Sequence, residues 1–297
     1  MKTHRLILIA VLAVIVIGGD AAIASAQQPS VDALAQQILD SSKPDAERQK
    51  LIADASVDAG ALITALVKGL EPGTPEEYVR IPWIWRVAVA AGRRNQTAEL
   101  RSVLNASLPE RDQPLHDWQA VVIGGGVVNG VSNAGAWPSD RIPELLRDEK
   151  SLTDRWKRVP DLAVAMAANE AVKTGTRYDA LRILGAESWK RRGGVVTKYL
   201  AEGTHAEVQQ GAIGALGDMK DRDAARALLD GLPHFSDRNR NSALNALMRN
   251  DERMEMLLDA VAAGRVTRSA LGEGRVEKLK SAANSKVRMK ALKILGG

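Results

Sequence analysis

The sequence predicts an all-α fold, an α-solenoid of stacked helix pairs, on three observations. Apolar residues recur at helical spacing along nearly the whole chain, and no long alternating strand pattern appears. The separators are short and rich in turn residues, as in "EPGTP" and "AWPSDRIP". A small-large-apolar pattern also recurs, which is typical of repeated helix pairs. We therefore expect many helices of about 10–14 residues joined by tight turns.

The N-terminus has the layout of a secretory signal peptide. Lys2 and Arg5 precede an apolar run over residues 6–19, and small residues follow up to Ala26. We predict cleavage after Ala26 and export to the periplasm or the extracellular space. The run is shorter than the roughly 20 residues that a spanning helix needs, so stable membrane insertion after cleavage is not expected. Retention of the segment as an anchor is the alternative.

The amino-acid composition argues against several classes of function, as the cysteine content and the distribution of basic residues show. The chain has no cysteine, which excludes disulfides and covalent haem attachment. Its formal net charge is +5, but the basic residues are spread along the sequence rather than gathered in one stripe. Because phosphate-binding surfaces usually concentrate such residues, nucleic-acid binding is not expected.

The stretch "RIPWIWRVAVAAGRRN" raises the question of an aromatic binding platform. Thr74 and Glu77 around Pro75 form a capping-box pattern, so a helix should begin at Pro75. Within it, Pro82 either kinks the helix or starts a new one. On a helix, Trp83 and Trp85 lie about 200° apart and cannot share one face. We expect one ring in the core and the other in a seam between repeats, with its ring nitrogen near a polar partner.

The glycine run over residues 121–135 approximates a dinucleotide-binding fingerprint. Gly124, Gly126 and Asn129 match G-x-G-x-x-G except at the third glycine, and no strand precedes them, as that motif requires. We interpret the run as a helix whose small residues permit close packing, with a weak spot near its start. An enzyme that uses a cleft near Trp118 and this run is the competing hypothesis.

Four segments align on one another around an anchor alanine. The anchors are Ala180, Ala212, Ala243 and Ala291, and apolar residues follow each at one, three and four positions further on. This spacing describes one buried helix face, and a glycine stop follows in three of the four. The anchors lie 32, 31 and 48 residues apart, and we interpret the last interval as containing an insertion. Helix pairs with two apolar sides bury both by stacking, which yields a solenoid.

The segment "THAEVQQGAIGALGDMKDRDAARALLDGL" resembles a HEAT repeat. That family often has arginine three residues before the anchor; Arg177, Arg240 and Arg288 match, and Gln209 departs. The resemblance covers residues 176–297 well, whereas residues 27–175 are only HEAT-like and form a divergent N-terminal part of one continuous solenoid.

A narrower likeness concerns the order of three features, which are "PWIWRVA", a glycine-rich helix, and the segment that begins "LLDAVAAGRVTRSALGEG". It is similar to the helical segment of secreted planctomycete-type proteins, where such a segment lies between a dehydrogenase-like propeller and a cytochrome c domain. The likeness implies a helical module that works alone or beside separately encoded partners.

The sequence offers no catalytic cluster, and no metal or cofactor is expected. His116, His205 and His234 are isolated, whereas zinc sites need clustered ligands. Surface or capping roles are the plainer interpretation of these histidines.

We therefore predict a non-catalytic scaffold that binds another protein through polar helix positions assumed to be exposed on a concave surface. The candidate partner-binding face comprises Arg177, Arg182, Gln210, Asn241, Asn245, Arg249, Lys290 and Lys293. A merely solvated face is the alternative, because charge on exposed helices is common. The alternative function is an accessory subunit of a periplasmic redox or carbohydrate-processing complex.

Overall fold

A computed structural model describes residues 30–110, 116 and 118–296, with only the backbone of Trp118 and Ala120. The expected signal peptide over residues 1–26 lies outside this range. The helices are α1 (Val31–Leu39), α2 (Asp45–Ala53), α3 (Ala59–Val67), α4 (Pro75–Arg94), α5 (Thr97–Ser107), α6 (Gly124–Asn133), α7 (Pro138–Leu146), α8 (Lys150–Trp156), α9 (Val159–Ala168), α10 (Thr174–Leu184), α11 (Trp189–Val196), α12 (Ala206–Asp218), α13 (Arg222–Gly231), α14 (Asp237–Leu247), α15 (Asp251–Ala262), α16 (Arg268–Leu271), α17 (Glu273–Lys280) and α18 (Ser285–Leu295). A π-helical turn over Trp118–Ile123 precedes α6.

The predicted all-α class is confirmed, since the described residues contain helices and no strand. None of the described helices combines the length and the apolar character that crossing a membrane requires.

The helices stack in rows. In the first row, α4 packs against α6, α6 against α10, α10 against α12, and α12 against α14. In the second row, α11, α13, α15 and α18 follow one another in the same way. Towards the N-terminus, α3 packs between α1 and α5. The core therefore extends along the stack rather than gathering around one centre.

The anchor alanines lie where the repeat pattern predicts. Ala180, Ala212 and Ala243 are fully buried on α10, α12 and α14, consecutive helices of one row. Gly211 shows why small residues suit these faces, because a Cβ there would lie 2.9 Å from the Tyr178 carbonyl oxygen on the neighbouring helix. The first three repeats therefore share one buried face.

The position of the fourth repeat differs from the one that the sequence pattern predicts. Ala291 is also buried, but its helix α18 packs on α15 in the second row. Instead, α17 is joined to the end of the first row by hydrogen bonds, since Arg275 on α17 donates to Asn241 and Asn245 on α14. The interval of 48 residues is about one and a half repeats, so the expectation of an insertion is wrong. The same apolar pattern serves both rows because each row buries one helical face.

The start of α4 follows the predicted capping, with one difference. Thr74 Oγ1 accepts from the Glu77 amide at 3.3 Å, and Pro75 is the first helical residue. The Glu77 carboxylate accepts from the Gly73 amide at 2.6 Å, one residue earlier than in a strict capping box. The helix continues through Pro82 without restarting.

The glycine run forms a packing helix, as expected. Gly130 on α6 faces Gly92 on α4, and a Cβ on Gly92 would lie 2.7 Å from Gly130 Cα. Gly125 meets Asp179 on α10, where a Cβ would lie 2.7 Å from Asp179 Cβ. The run therefore lets α4 and α10 approach α6 at backbone distance from both sides.

Candidate functional site

A groove follows the first row of helices, centred on Trp85. It consists of two adjoining cavities of about 650 and 740 Å³ that share the side chains of Trp85 and Arg86. The first cavity is lined by residues of α4, α10, α12 and α14, and the second by residues of α2, α4 and α6. The stacking of separate helix pairs, rather than one local motif, therefore forms this surface.

The two tryptophans of "PWIW" diverge, as the helical spacing predicts. Trp83 is 5% exposed and makes cation–π contacts with two guanidinium groups, with Arg48 Cζ 4.0 Å and Arg86 Cζ 4.7 Å from the ring centroid. Trp85 is half-buried, and its Nε1 donates to Asp179 Oδ1 at 2.9 Å across the seam between α4 and α10. The same ring also lines the groove, which the spacing alone does not show.

Asp179 is a buried carboxyl group in the wall of the groove. Burial raises the pKa of Asp179 well above its ordinary value, although the hydrogen bond from Trp85 and the positive charge of Arg182 act in the opposite direction. The cost of removing the charged form from water dominates because no cation contacts the carboxylate directly among the hydrogen bonds and ion pairs of the described residues.

Asp179→Asn is expected to stabilise the protein at neutral pH. The amide oxygen still accepts from Trp85, and the desolvated charge is gone. A carboxyl whose folded-state pKa is raised binds more protons folded than unfolded, so it lowers stability as pH rises above the unfolded pKa of about 3.9. The free energy of unfolding from urea titrations should therefore favour the variant at pH 7 and converge with the parent towards pH 4. A constant difference across that range would contradict the assignment.

The groove is predominantly basic. The cationic side chains along it are Lys50, Arg86, Arg93, Arg94, Lys173 and Arg238, and the acidic ones are Asp179 and Glu207. Lys50 pairs with Asp54 and Arg94 with Glu99, so the excess positive charge comes from the other four cations. Glu207 accepts from Thr174 Oγ1 at 2.6 Å. Burial raises the pKa of Asp179 and so disfavours the charged form of that carboxyl group. Lys173 Nζ lies 3.2 Å from the Tyr78 ring centroid. The groove can therefore accept negative charge beside aromatic rings.

The structure brings one of the predicted partner-face residues to the groove, and this residue is Gln210. Arg182 is only 4% exposed, and its Nη2 pairs with Asp218 Oδ2 at 2.6 Å. Arg249 is half-buried and pairs with the other Asp218 oxygen. The expectation that Arg182 is exposed is wrong, because an acidic residue on α12 neutralises it inside the seam.

Arg177 belongs to a series of residues that hold the backbone of the preceding turn. Its Nε donates to the Ala167 carbonyl at 3.0 Å. Arg240 donates to Phe235 O and Arg288 to Ala282 O in the same manner, each three residues before its anchor. Gln209 takes the equivalent place in its repeat by donating to Leu200 O. These side chains satisfy carbonyl groups that a helix end leaves unpaired.

The remaining predicted residues lie away from the groove. Asn241 and Asn245 are exposed but accept from Arg275 of the neighbouring helix. Lys290 pairs with Asp259 at 2.6 Å in the second row, and Lys293 is exposed on the same helix. The eight residues therefore do not form one continuous surface.

Sequence reasoning missed Arg86, Asp179 and Lys173 as groove residues. One signal was available: the position before the anchor holds Asp179 in the first repeat, where Gly211 and Ser242 follow in the next two. A carboxyl group on the buried side of a repeat needs a partner from a neighbouring helix. That partner, the Trp85 ring nitrogen, is 94 residues away in sequence.

No group of three potential metal ligands occurs in residues 30–110, 116 and 118–296. His205 is exposed and caps α12, where its Nδ1 accepts from the Glu207 amide at 3.3 Å. The hypothesis of a cleft near Trp118 falls on a side chain outside the described residues.

Comparisons of the chain with protein-family models, with curated proteins and with solved structures returned no match.

Proposed function

We propose that this protein is an exported, non-catalytic α-solenoid of HEAT-like helix pairs, which binds an acidic segment of another protein in the Trp85 groove. The observation that carries the proposal is the groove itself, in which basic side chains from successive helices surround a half-buried indole. A solenoid presents such extended surfaces because each repeat adds one helix to the row.

The chemistry of the groove selects its ligand. Carboxylates of the partner pair with Arg93 and Arg238, which are exposed at separate cavities of the groove. An apolar or aromatic residue of the partner packs on the Trp85 ring between them, since tryptophan offers a large, rigid contact area. Binding should therefore depend on ionic strength, because exposed charge pairs are screened by salt.

The test uses a fluorescein-labelled peptide of glutamates with one central phenylalanine, measured by fluorescence anisotropy against the full chain. The double variant Arg93→Glu/Arg238→Glu should weaken binding roughly tenfold at low salt, since each reversal removes one attraction and adds a repulsion. The matched control Lys190→Glu/Lys198→Glu makes the same charge change at exposed residues outside the groove.

The control should change the affinity less than twofold, and the peptide with lysine in place of glutamate should not bind. Equal weakening by both double variants would show a general charge effect and overturn the groove as the binding site.

A further inference from the structure

A second surface lies on α18, at the far end of the second row. Tyr78, Val79, Met289 and Leu292 are the exposed large hydrophobic residues among those described. Met289 and Leu292 are 64% and 43% exposed and lie three residues apart, so they share one face of α18. We call these two side chains the α18 stripe. Val287 and Ala291 are buried on the opposite side of the helix from Met289, and the buried Leu295 adjoins Leu292.

The surroundings of the α18 stripe carry an excess of positive charge. From residue 278 to residue 296 the chain has six lysine or arginine residues and no acidic residue. Lys280, Lys286 and Lys290 pair with Glu277, Glu255 and Asp259. Lys278 and Lys293 are exposed and have no ion pair among the described residues. A second copy of this chain docked on the same face would bring like charges together, which is unfavourable. The charge therefore favours an acidic occupant.

The other side of α18 already shows how an acidic helix fits. Glu255 and Asp259 lie four residues apart on α15, and they pair with Lys286 at 2.7 Å and Lys290 at 2.6 Å. Buried apolar residues of the two helices pack beside these pairs. The α15–α18 contact therefore shows that a helix with an apolar face and flanking acidic residues can pack on α18.

We propose that the α18 stripe docks an amphipathic helix of a partner protein that carries aspartate or glutamate beside its apolar face. Met289 and Leu292 contact the apolar residues of that helix, and Lys293 faces its acids. This surface is separate from the Trp85 groove, so the two proposals fail independently.

The probe is an amidated, fluorescein-labelled peptide of three Leu/Glu heptads, with leucine on one face and glutamate elsewhere. Anisotropy should show binding to the full chain, and Met289→Ser/Leu292→Ser should weaken it about tenfold or more, as expected for two lost apolar contacts. The matched control is Val79→Ser, which removes an exposed apolar side chain on α4 and should leave the affinity unchanged.

Charge is tested separately. Lys293→Glu should weaken binding severalfold, while Lys190→Glu and the groove variant Arg93→Glu/Arg238→Glu should not. Undiminished binding by Met289→Ser/Leu292→Ser, or equal binding of the same peptide with lysine in place of glutamate, would overturn the proposal. Sedimentation equilibrium showing a dimer that Met289→Ser/Leu292→Ser dissociates would overturn it in favour of a second copy.

Discussion

Asp218→Ala is expected to destabilise the protein by about 3–5 kcal/mol, because it leaves buried positive charge without its partner. The Asp218 carboxylate is fully buried at the end of α12. It pairs with Arg182 and accepts from Ser132 Oγ, each at 2.6 Å, and also pairs with Arg249. Arg182 has a side-chain exposure of only 5%, so water cannot replace the lost carboxylate.

Urea unfolding followed by circular dichroism measures this loss. The matched control is Asp140→Ala, which removes the acid of a nearby ion pair with Lys220 whose two side chains are 59% and 49% exposed. The control should cost less than about 1 kcal/mol, since exposed pairs contribute little. A loss for Asp218→Ala no larger than that of the control would contradict the role given to the cluster.

The Arg182–Asp218 pair also predicts non-additivity. Replacing both residues, as in Asp218→Leu/Arg182→Met, removes the buried Arg182 charge that the single variant leaves unpaired. Arg249 also loses Asp218 but still donates to the Gly217 and Ala136 carbonyls. We expect the double variant to recover a substantial part of the stability, because apolar replacement of a whole buried pair is often nearly neutral.

Gly130→Ala is expected to destabilise the protein by about 1–3 kcal/mol, as overpacking of a tight interface does. Its new Cβ would lie 2.3 Å from the Val89 carbonyl oxygen and 2.6 Å from Gly92 Cα. Backbone atoms cannot turn aside as a side chain can, so α4 and α6 must separate. This cost exceeds the gain of about 1 kcal/mol that alanine brings to a helix interior.

Gly194→Ala is the matched control. Gly194 lies in α11, and a Cβ added there would meet no atom of a neighbouring element within 4 Å, so the helix preference of alanine acts alone. The melting temperature should rise for Gly194→Ala and fall for Gly130→Ala. A rise for both would mean that the two helices are not in close contact at Gly130.

Local features of this protein follow from its sequence. The periodicity of apolar residues determines the helices and their buried faces, as the buried anchors Ala180, Ala212 and Ala243 illustrate. The divergence of Trp83 and Trp85 follows from the angle between successive helical residues, and the cap at Thr74 from hydrogen bonds within one turn. These properties depend on neighbours a few residues away.

The positions of buried charged residues depend on more distant neighbours. Arg253 is 1% exposed and donates to the Leu216, Gly217 and Ala246 carbonyls, each at 3.1 Å. Burial lowers its pKa to about 10. Arginine usually lies at the surface, and nothing in the local pattern distinguishes Arg253 from an exposed one. Its acceptors come from the ends of α12 and α14, which only the stacking brings together.

The tertiary structure alone decided the row of each helix and the position of the groove. The repeat pattern of α18 matches that of the first row, yet α18 packs on α15, because one apolar face can be covered by either neighbour. Likewise, Trp85 and Asp179 meet across a seam between helices far apart in the chain. Helical periodicity states which face is buried; long-range packing determines which partner buries it, and therefore where the groove and the exposed α18 stripe lie.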